Sequence, residues 1–572
     1  MTINSITKAL LRTLITSVAD EMGVALVRTA YSANIKERKD CSTQIFDSKG
    51  RIIAQGAHIP MHLGSMIEIV PSIRSHIKEI RKDDVYISND PFGGASSHTN
   101  DICVIAPFFY HRKLLGFVAN TGHHADVGGM VPGSTSSRDS SIYQEGLRLP
   151  PIRVVNAGRI DDTILSLLQY NTRDPQMLIG DMKAQIGACE LGKQRLTKII
   201  ERNGEDIVLA TIEAILDDSE RETRLAIARI RNGEYSFCDY LDCDGIRDAE
   251  EPLPIKAKVT VKDDELFFDF TGSSPQVNSG INLVKSGLLS AVWYAIKILT
   301  KPDLRINDGF IRPIHVYAPE GSIVNATLPA PVGDRGNTAQ RAVDVILGAL
   351  YKAVPKKAAA GASHSTMASI CLGGLNGQME PYIYVETNGG GMGGRYGKDG
   401  IDGIQVHLTN TSNLPIEVLE NEYPLRVTRY GLRPDTGGAG EYRGGLGIER
   451  CIVPLGHSPE FALSLDRHDH TPWGVFGAAP GSGARVTVNG EKIGSRSVGV
   501  LNPGDEICLC TPGGGGYGDP YQRDPARVLA DIVAGKISQA RAKQDYGVAI
   551  SDGDINTEET KQLRSRQKDR TR

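Results

Sequence analysis

The chain contains no run of about 18 apolar residues, so the sequence predicts no transmembrane helix. Its nine cysteines include no CxxC or CxxH spacing, which removes the common zinc and dithiol motifs. Only Cys508 and Cys510 are close, and two residues apart on one strand they are poorly placed to bridge. An odd cysteine count without a framework reads as reduced thiols in a cytoplasmic protein. No GxxxxGK[ST] stretch offers a grip for magnesium and a γ-phosphate. No GxSxG elbow is present, and His364, set among serines in GASHSTMAS, has no orienting acid nearby in sequence. The formal net charge of -4 is spread without blocks, which argues against a nucleic-acid or membrane surface. No repeat of about 20–50 residues recurs. The N-terminal stretch MTINSITKALLRTLITSVADEMG lacks a basic segment followed by an unbroken apolar one. It reads as an amphipathic helix capped by Ser5 rather than as a signal peptide.

What the sequence holds is an ordinary globular composition spread over 572 residues, too many for one core. Helical periodicity predicts a helix from Ile6 to Ala33. CSTQIFDSKGRIIAQG reads as a hairpin turning at Asp47–Gly50, and a helix is expected over Ser65–Lys78. Two long helical patterns follow, stopped by Asn203-Gly204 and Asn232-Gly233. IKAKVTVKDDELFFDFTGS reads as another hairpin, with helices expected at Gly287–Leu299 and from Asn337. Beyond Met379, strands alternate with the glycine clusters TNGGGMGGRYGKDG, TGGAGEYRGGLG and TPGGGGYGDP. These are read as tight turns and close backbone packing, not as phosphate loops. If the reaction consumes ATP, another subunit then binds it. The fold class expected is α+β and multidomain, with mixed and antiparallel sheets, a central helical hairpin and a β-rich C-terminal part. Compositional boundaries suggest 1–173 (metal-site region), 174–232 (helical hairpin), 233–375 (mixed α/β) and 376–520 (β-rich, glycine loops). The remainder, 521–572, is a helix and a polar tail expected to fray beyond Asp552.

Chemistry concentrates in SSHTNDICVIAPFFYHRKLLGFVANTGHHAD. His98 and Asp101 stand at one end; His123, His124 and Asp126 stand at the other. The segment between them reads as a hairpin whose only polar break is His111-Arg112-Lys113. A turn centred near Arg112 pairs residues whose numbers sum to about 224, which sets Asp101 opposite His123. Two imidazoles and a carboxylate suit Zn²⁺, Mn²⁺ or Fe²⁺ with positions left for water or substrate. Glu37 or Asp40, in NIKERKD, can add a carboxylate; the residues alone do not choose between them. A second pair, His468 and His470 in DRHDHTPWG, shares one strand face, but Pro472 favours a surface loop.

Several stretches together resemble the hydantoinase B family of ATP-dependent hydantoinases, caprolactamases and 5-oxoprolinases, with related acetone carboxylase subunits. They are RTAYSANIKERKDCS, AQGAHIPMHLGSM, SNDPFGGASSHTNDI, NTGHHADVGGMVPGS, GDRGNTAQRAVDVILGAL, ENEYPLRVTRYGLRPDTGGAGEYRGGLG and TPGGGGYGDP. The resemblance implies a cytoplasmic hydrolytic subunit that opens a cyclic amide after a large hydantoinase A-type partner phosphorylates the carbonyl oxygen with ATP. It implies a heterotetramer and a divalent metal on Glu37, His98, Asp101 and His123. His124, Asp126 and Asp40 are the expected catalytic residues, with His58 and His62 as further candidates. Alternative readings are a subunit of a ketone carboxylase and a non-catalytic scaffold.

Overall fold

The computed structural model describes residues 4–56, 58–246, 251–363 and 369–570. His364 lies outside the described residues. The first helix, α1 (Ser5–Thr29), is capped by Asn4 rather than Ser5: the Asn4 side chain accepts from the Ile6 amide at 3.0 Å. It ends before Ala33 because Asp181 Oδ1 accepts from the amides of Tyr31 and Ser32, at 2.7 and 3.0 Å, and draws the chain into an extended path. Ser32 then caps a separate short helix, α2 (Ala33–Lys36). The single helix expected over Ile6–Ala33 is therefore two. The third helix, α3 (Ile69–His76), is shorter than the expected Ser65–Lys78.

Seven strands form the first sheet: β1 (Cys41–Asp47), β2 (Ile52–Gly56), β3 (Val85–Ser88), β4 (Asp101–Tyr110), β5 (Lys113–His123), β6 (Ile152–Asn156) and β7 (Arg159–Ile160). Their spatial order is β2-β1-β5-β4-β3-β6-β7, antiparallel throughout. Strand periodicity sends alternate residues to opposite faces. Ile102, Val104 and Ala106 join one core with Leu11, Ile15 and Val18 of α1 and with Met182 of α5 (Pro175–Asn203). Cys103, Ile105, Phe117 and Ala119 join the other, against Ile69, Val70 and Ile73 of α3. A helix α4 (Asp162–Tyr170) precedes α5, and α6 (Glu205–Ile227) follows it directly. Gly204 makes that junction at φ +89°, a conformation side chains resist.

The next unit is a four-stranded sheet of Gly233–Leu241, Leu253–Lys262, Glu265–Asp269 and Ile314–Tyr317, the last pair parallel. It shares a core with α7 (Lys285–Leu299) and α9 (Gly336–Leu350); a short helix, α8 (Asp308–Ile311), lies between them in sequence. Met61 and Leu63, from the segment after β2, enter this core and tie it to the first sheet. Two further antiparallel sheets follow, of four and five strands, between Ser369 and Cys510. The α+β class with mixed and antiparallel sheets is what the chain adopts.

The glycine clusters serve close packing. A Cβ on Gly513, Gly444 or Gly514 would fall 1.8, 1.9 or 2.1 Å from a neighbouring backbone oxygen. Two expectations are corrected here. Cys451 and Cys508 face each other in register on adjacent antiparallel strands, 4.1 Å apart at Cα, and form a disulfide, so not all the thiols are free. The tail does not fray after Asp552: a small hairpin there leads into a helix over Thr557–Arg570. No helix among the described residues is long and apolar enough to cross a membrane.

Candidate functional site

The β4–β5 hairpin has the expected register. Asp101 lies opposite His123, and the pairing sum of 224 holds as far as Phe108 and Gly116. A bulge beyond that point absorbs one residue near the turn. On the other side of β5, Cys41 of β1 pairs with Gly122, and the His123 amide donates to the Asp40 carbonyl at 3.0 Å. Three adjacent strand ends thus bring Asp40, His123 and Asp101 side by side. His98 arrives from the loop before β4, and His62 from the single turn Pro60–His62 after β2.

The side chains converge closely. His98 Nε2 is 2.9 Å and His123 Nδ1 is 3.2 Å from Asp101 Oδ1. The two rings stack with centroids 5.0 Å apart. His62 Nε2 lies 3.7 Å from Asp101 Oδ2 and 3.9 Å from Asp40 Oδ1, while its Nδ1 is 3.1 Å from Ser42 Oγ. Arg335, just before α9, donates to Asp101 Oδ2 at 3.0 Å and to Ser97 Oγ at 2.8 Å. His98 and Asp101 are fully buried.

Electrostatics set the protonation states. Burial, with the Arg335 charge beside it, pushes the His98 imidazole down to about 4. Burial alone would raise the Asp101 carboxyl, but the Arg335 guanidinium and a bond from His123 hold it well below the usual range. The network assigns the His98 tautomer: Nδ1 donates to the Gly333 carbonyl at 3.2 Å, leaving the lone pair on Nε2. In that tautomer Nε2 turns its lone pair to Asp101 Oδ1, 2.9 Å away. Two donors so placed repel unless a cation sits between them. The spacing is about that of two donors on one ion with bonds of about 2.0–2.2 Å. The donor set of His98, Asp101 and His123 fits a divalent metal. The Asp40 carboxylate lies nearby, with Oδ1 3.9 Å from His62 Nε2, and lines the same pocket.

Other expected residues go elsewhere. Glu37 ends the short α2, is exposed, and has Glu422 as an electrostatic neighbour. It does not line the pocket, and Asp40 does. His124 follows a ligand candidate on a strand and so turns to the opposite face, where its Nε2 meets Gln185 Oε1 of α5 at 3.0 Å. Asp126 accepts from Arg173, Ser134, Thr172 and loop amides, which tie it into its loop. His58 packs against Gly23 of α1. Asp242 gathers the amides of His468 and His470 and the His470 ring, which makes DRHDHTPWG an organised loop. Arg335 and Gly333 carried no chemical signal in the sequence, because their part depends on contacts more than 200 residues away.

The pocket above the cluster is narrow, with a cavity volume of about 70 Å³, and Asp40, His62, His98, His123 and Arg335 line it. The chain is thus an α+β protein with a metal-competent pocket at the end of an antiparallel sheet. It belongs to the hydantoinase B/oxoprolinase family, which it matches over residues 4–520. A protein of Methanocaldococcus jannaschii with no assigned function is 41% identical over 98% of this chain and 100% of its own. Caprolactamase subunit beta of Pseudomonas jessenii is 31% identical over 96% of this chain and 97% of its own. The crystal structure of ATP-dependent caprolactamase from that organism matches with a TM-score of 0.90, at 29% identity, over 99% of this chain and 100% of that one. Acetone carboxylase gives the same TM-score of 0.90 at 19% identity, over 99% of this chain and 83% of that one, which shows a shared fold.

Proposed function

We propose that this chain is the hydrolytic subunit of an ATP-dependent cyclic amidase. It opens a hydantoin, an oxoproline-like ring or a larger lactam after a large hydantoinase A-type partner has phosphorylated the ring carbonyl with ATP, and it works in a heterotetramer. The observation that carries the reading is the convergence of His98 Nε2 and His123 Nδ1 on Asp101 Oδ1, at 2.9 and 3.2 Å, at the floor of a pocket. His98, Asp101, His123 and Asp40 would hold Zn²⁺, Mn²⁺ or Fe²⁺. When bound, such an ion supplies Lewis acidity and brings the pKa of water towards neutrality.

The chain's own residues prepare that chemistry. The Gly333 carbonyl keeps His98 in the ligating tautomer. Arg335 occupies Asp101 Oδ2 and so turns Oδ1 towards the imidazoles. His62, with Nδ1 on Ser42 and Nε2 between two carboxylates, is placed to carry a proton to the leaving ring nitrogen. It takes the role expected of His124 and Asp126.

The test is to co-purify the chain with its large partner and measure ADP release over a panel of cyclic amides, then over ketones with bicarbonate. Amide-dependent turnover giving an opened amino acid, lost in His123→Ala, is the expected result. Turnover only with a ketone and bicarbonate would make the chain a carboxylase subunit. Full activity in His123→Ala would remove the cluster from the reaction.

A further inference from the structure

Six arginines rank among the largest fully buried side chains: Arg38, Arg341, Arg443, Arg450, Arg467 and Arg523. Five of them have carboxylate partners. Arg341 meets Asp239 and Asp466, Arg443 meets Asp402, Arg450 meets Glu386, Arg467 meets Asp239 and Asp344, and Arg523 meets Asp399 and Asp531. Arg38 has none within ion-pair distance among the described residues. It is only 2% exposed, and it lines the pocket two residues before Asp40. A guanidinium offers five N–H donors. Here they make three hydrogen bonds, all to neutral acceptors: Val385 O at 2.8 Å, Asn34 Oδ1 at 3.2 Å and Thr387 Oγ1 at 2.8 Å. Nε has no acceptor.

Burying an arginine without a counter-charge costs several kcal/mol, and folds accept that cost where the charge has work to do. The surrounding wall agrees. Thr135 Oγ1 is a second buried, unpartnered polar atom lining the same pocket. The pocket lining therefore includes a guanidinium with an unspent Nε–H and a free hydroxyl.

We propose that Arg38 is the pocket's anion-recognising residue, taking a carboxylate or phosphoryl oxyanion borne by the ring substrate. The proposal deepens the amidase reading and rests on it for the word substrate; the binding chemistry stands apart from turnover. The three bonds already made clamp the guanidinium plane, so the oxyanion meets a fixed donor edge.

Direct binding tests it on the full chain, with metal content matched between wild type and variants. Inorganic phosphate, 5-oxoproline and the neutral ring 2-pyrrolidinone are titrated by calorimetry into wild type, Arg38→Met and Arg38→Lys. Arg38→Met is expected to weaken a charged probe about tenfold or more while leaving 2-pyrrolidinone unchanged. Selective loss of phosphate assigns a phosphoryl group, and selective loss of 5-oxoproline assigns a ring carboxylate. Arg38→Lys keeps the charge without the fork, and is expected to fall between the two; it carries the test alone if the methionine variant does not fold. Unchanged affinity for both charged probes in the folded variants overturns the proposal. So does a wild-type chain that binds neither charged probe more tightly than 2-pyrrolidinone. The amidase reading fails separately, by absence of cyclic-amide turnover with the partner.

Discussion

Asp40→Asn and Glu37→Gln separate the carboxylate that the geometry selects from the one that the family resemblance implied. Each substitution removes a negative charge and keeps the side chain's size. Asp40 sits across from His123 at the end of β1, with Oδ1 3.9 Å from His62 Nε2. Glu37 is exposed at the end of α2 and does not line the pocket. Loss of a supporting partner around a metal ligand costs about 10–100-fold in metal affinity. Loss of a carboxylate donor itself costs at least that, or about 1.4–2.7 kcal/mol and upward. Glu37→Gln, screened by solvent, is expected to stay within about twofold. The assay is competition against a chelator at fixed free metal, followed by elemental analysis of the dialysed protein. Metal lost in Glu37→Gln and kept in Asp40→Asn would refute the argument from strand register. Loss in both would mean that α2 folds inwards when the metal binds.

Three further perturbations probe the frame around the site. Arg341→Met takes one of two arginine partners from each of the buried Asp239 and Asp466, which keep Arg467 and Arg496, and is expected to destabilise the chain by about 1–3 kcal/mol, seen as a lowered calorimetric Tm. An unchanged Tm would mean the network is compensated. Gly514→Ala sets a Cβ 2.1 Å from the Met392 oxygen and is expected to cost more than about 4 kcal/mol or prevent folding, read by yield of soluble protein and Tm. Burial pushes the Asp139 carboxyl up to about 7 from its usual 3.8, so between those values the folded chain keeps a proton that the unfolded chain releases. Stability from this group is lost as pH rises across that window, by up to about 1.4 kcal/mol per pH unit. Asp139→Asn should flatten the fall in Tm between about pH 5 and pH 7, the upper part of that window; an unaltered slope would place the titration elsewhere.

What was legible in the sequence follows from range. The β4–β5 register could be read because a single polar break fixes the turn and every partner lies within one hairpin. That was enough to set Asp101 against His123. Alternation also condemns His124, which as the neighbour of a ligand candidate on a strand must face the other way. Asp40 could not be chosen over Glu37, because the β1–β5 pairing joins segments about 80 residues apart and no local pattern encodes it. The end of α1 was hidden for the same reason: Asp181, which takes the Tyr31 and Ser32 amides, lies 149–150 residues away. The Cys451–Cys508 disulfide joins positions 57 residues apart, on strands that only the fold makes neighbours.

The same distinction explains how the pocket is assembled. The first sheet alone supplies His123, Asp101 and Asp40, but leaves the His98 tautomer and the second Asp101 oxygen undetermined. The loop before α9 settles both, through Gly333 and Arg335. The α9 core is joined to the sheet through Met61 and Leu63, which flank His62, and through the Gly64 amide on Ser290 of α7. The arrangement of the cluster is therefore a property of the docked units, not of the hairpin. A change that loosens this docking without touching a ligand, such as Ser290→Val at the bond to Gly64, is expected to raise the metal dissociation constant several-fold while the isolated sheet contacts persist. Equal metal affinity in Ser290→Val, with a lowered Tm, would show instead that the hairpin orders its ligands unaided.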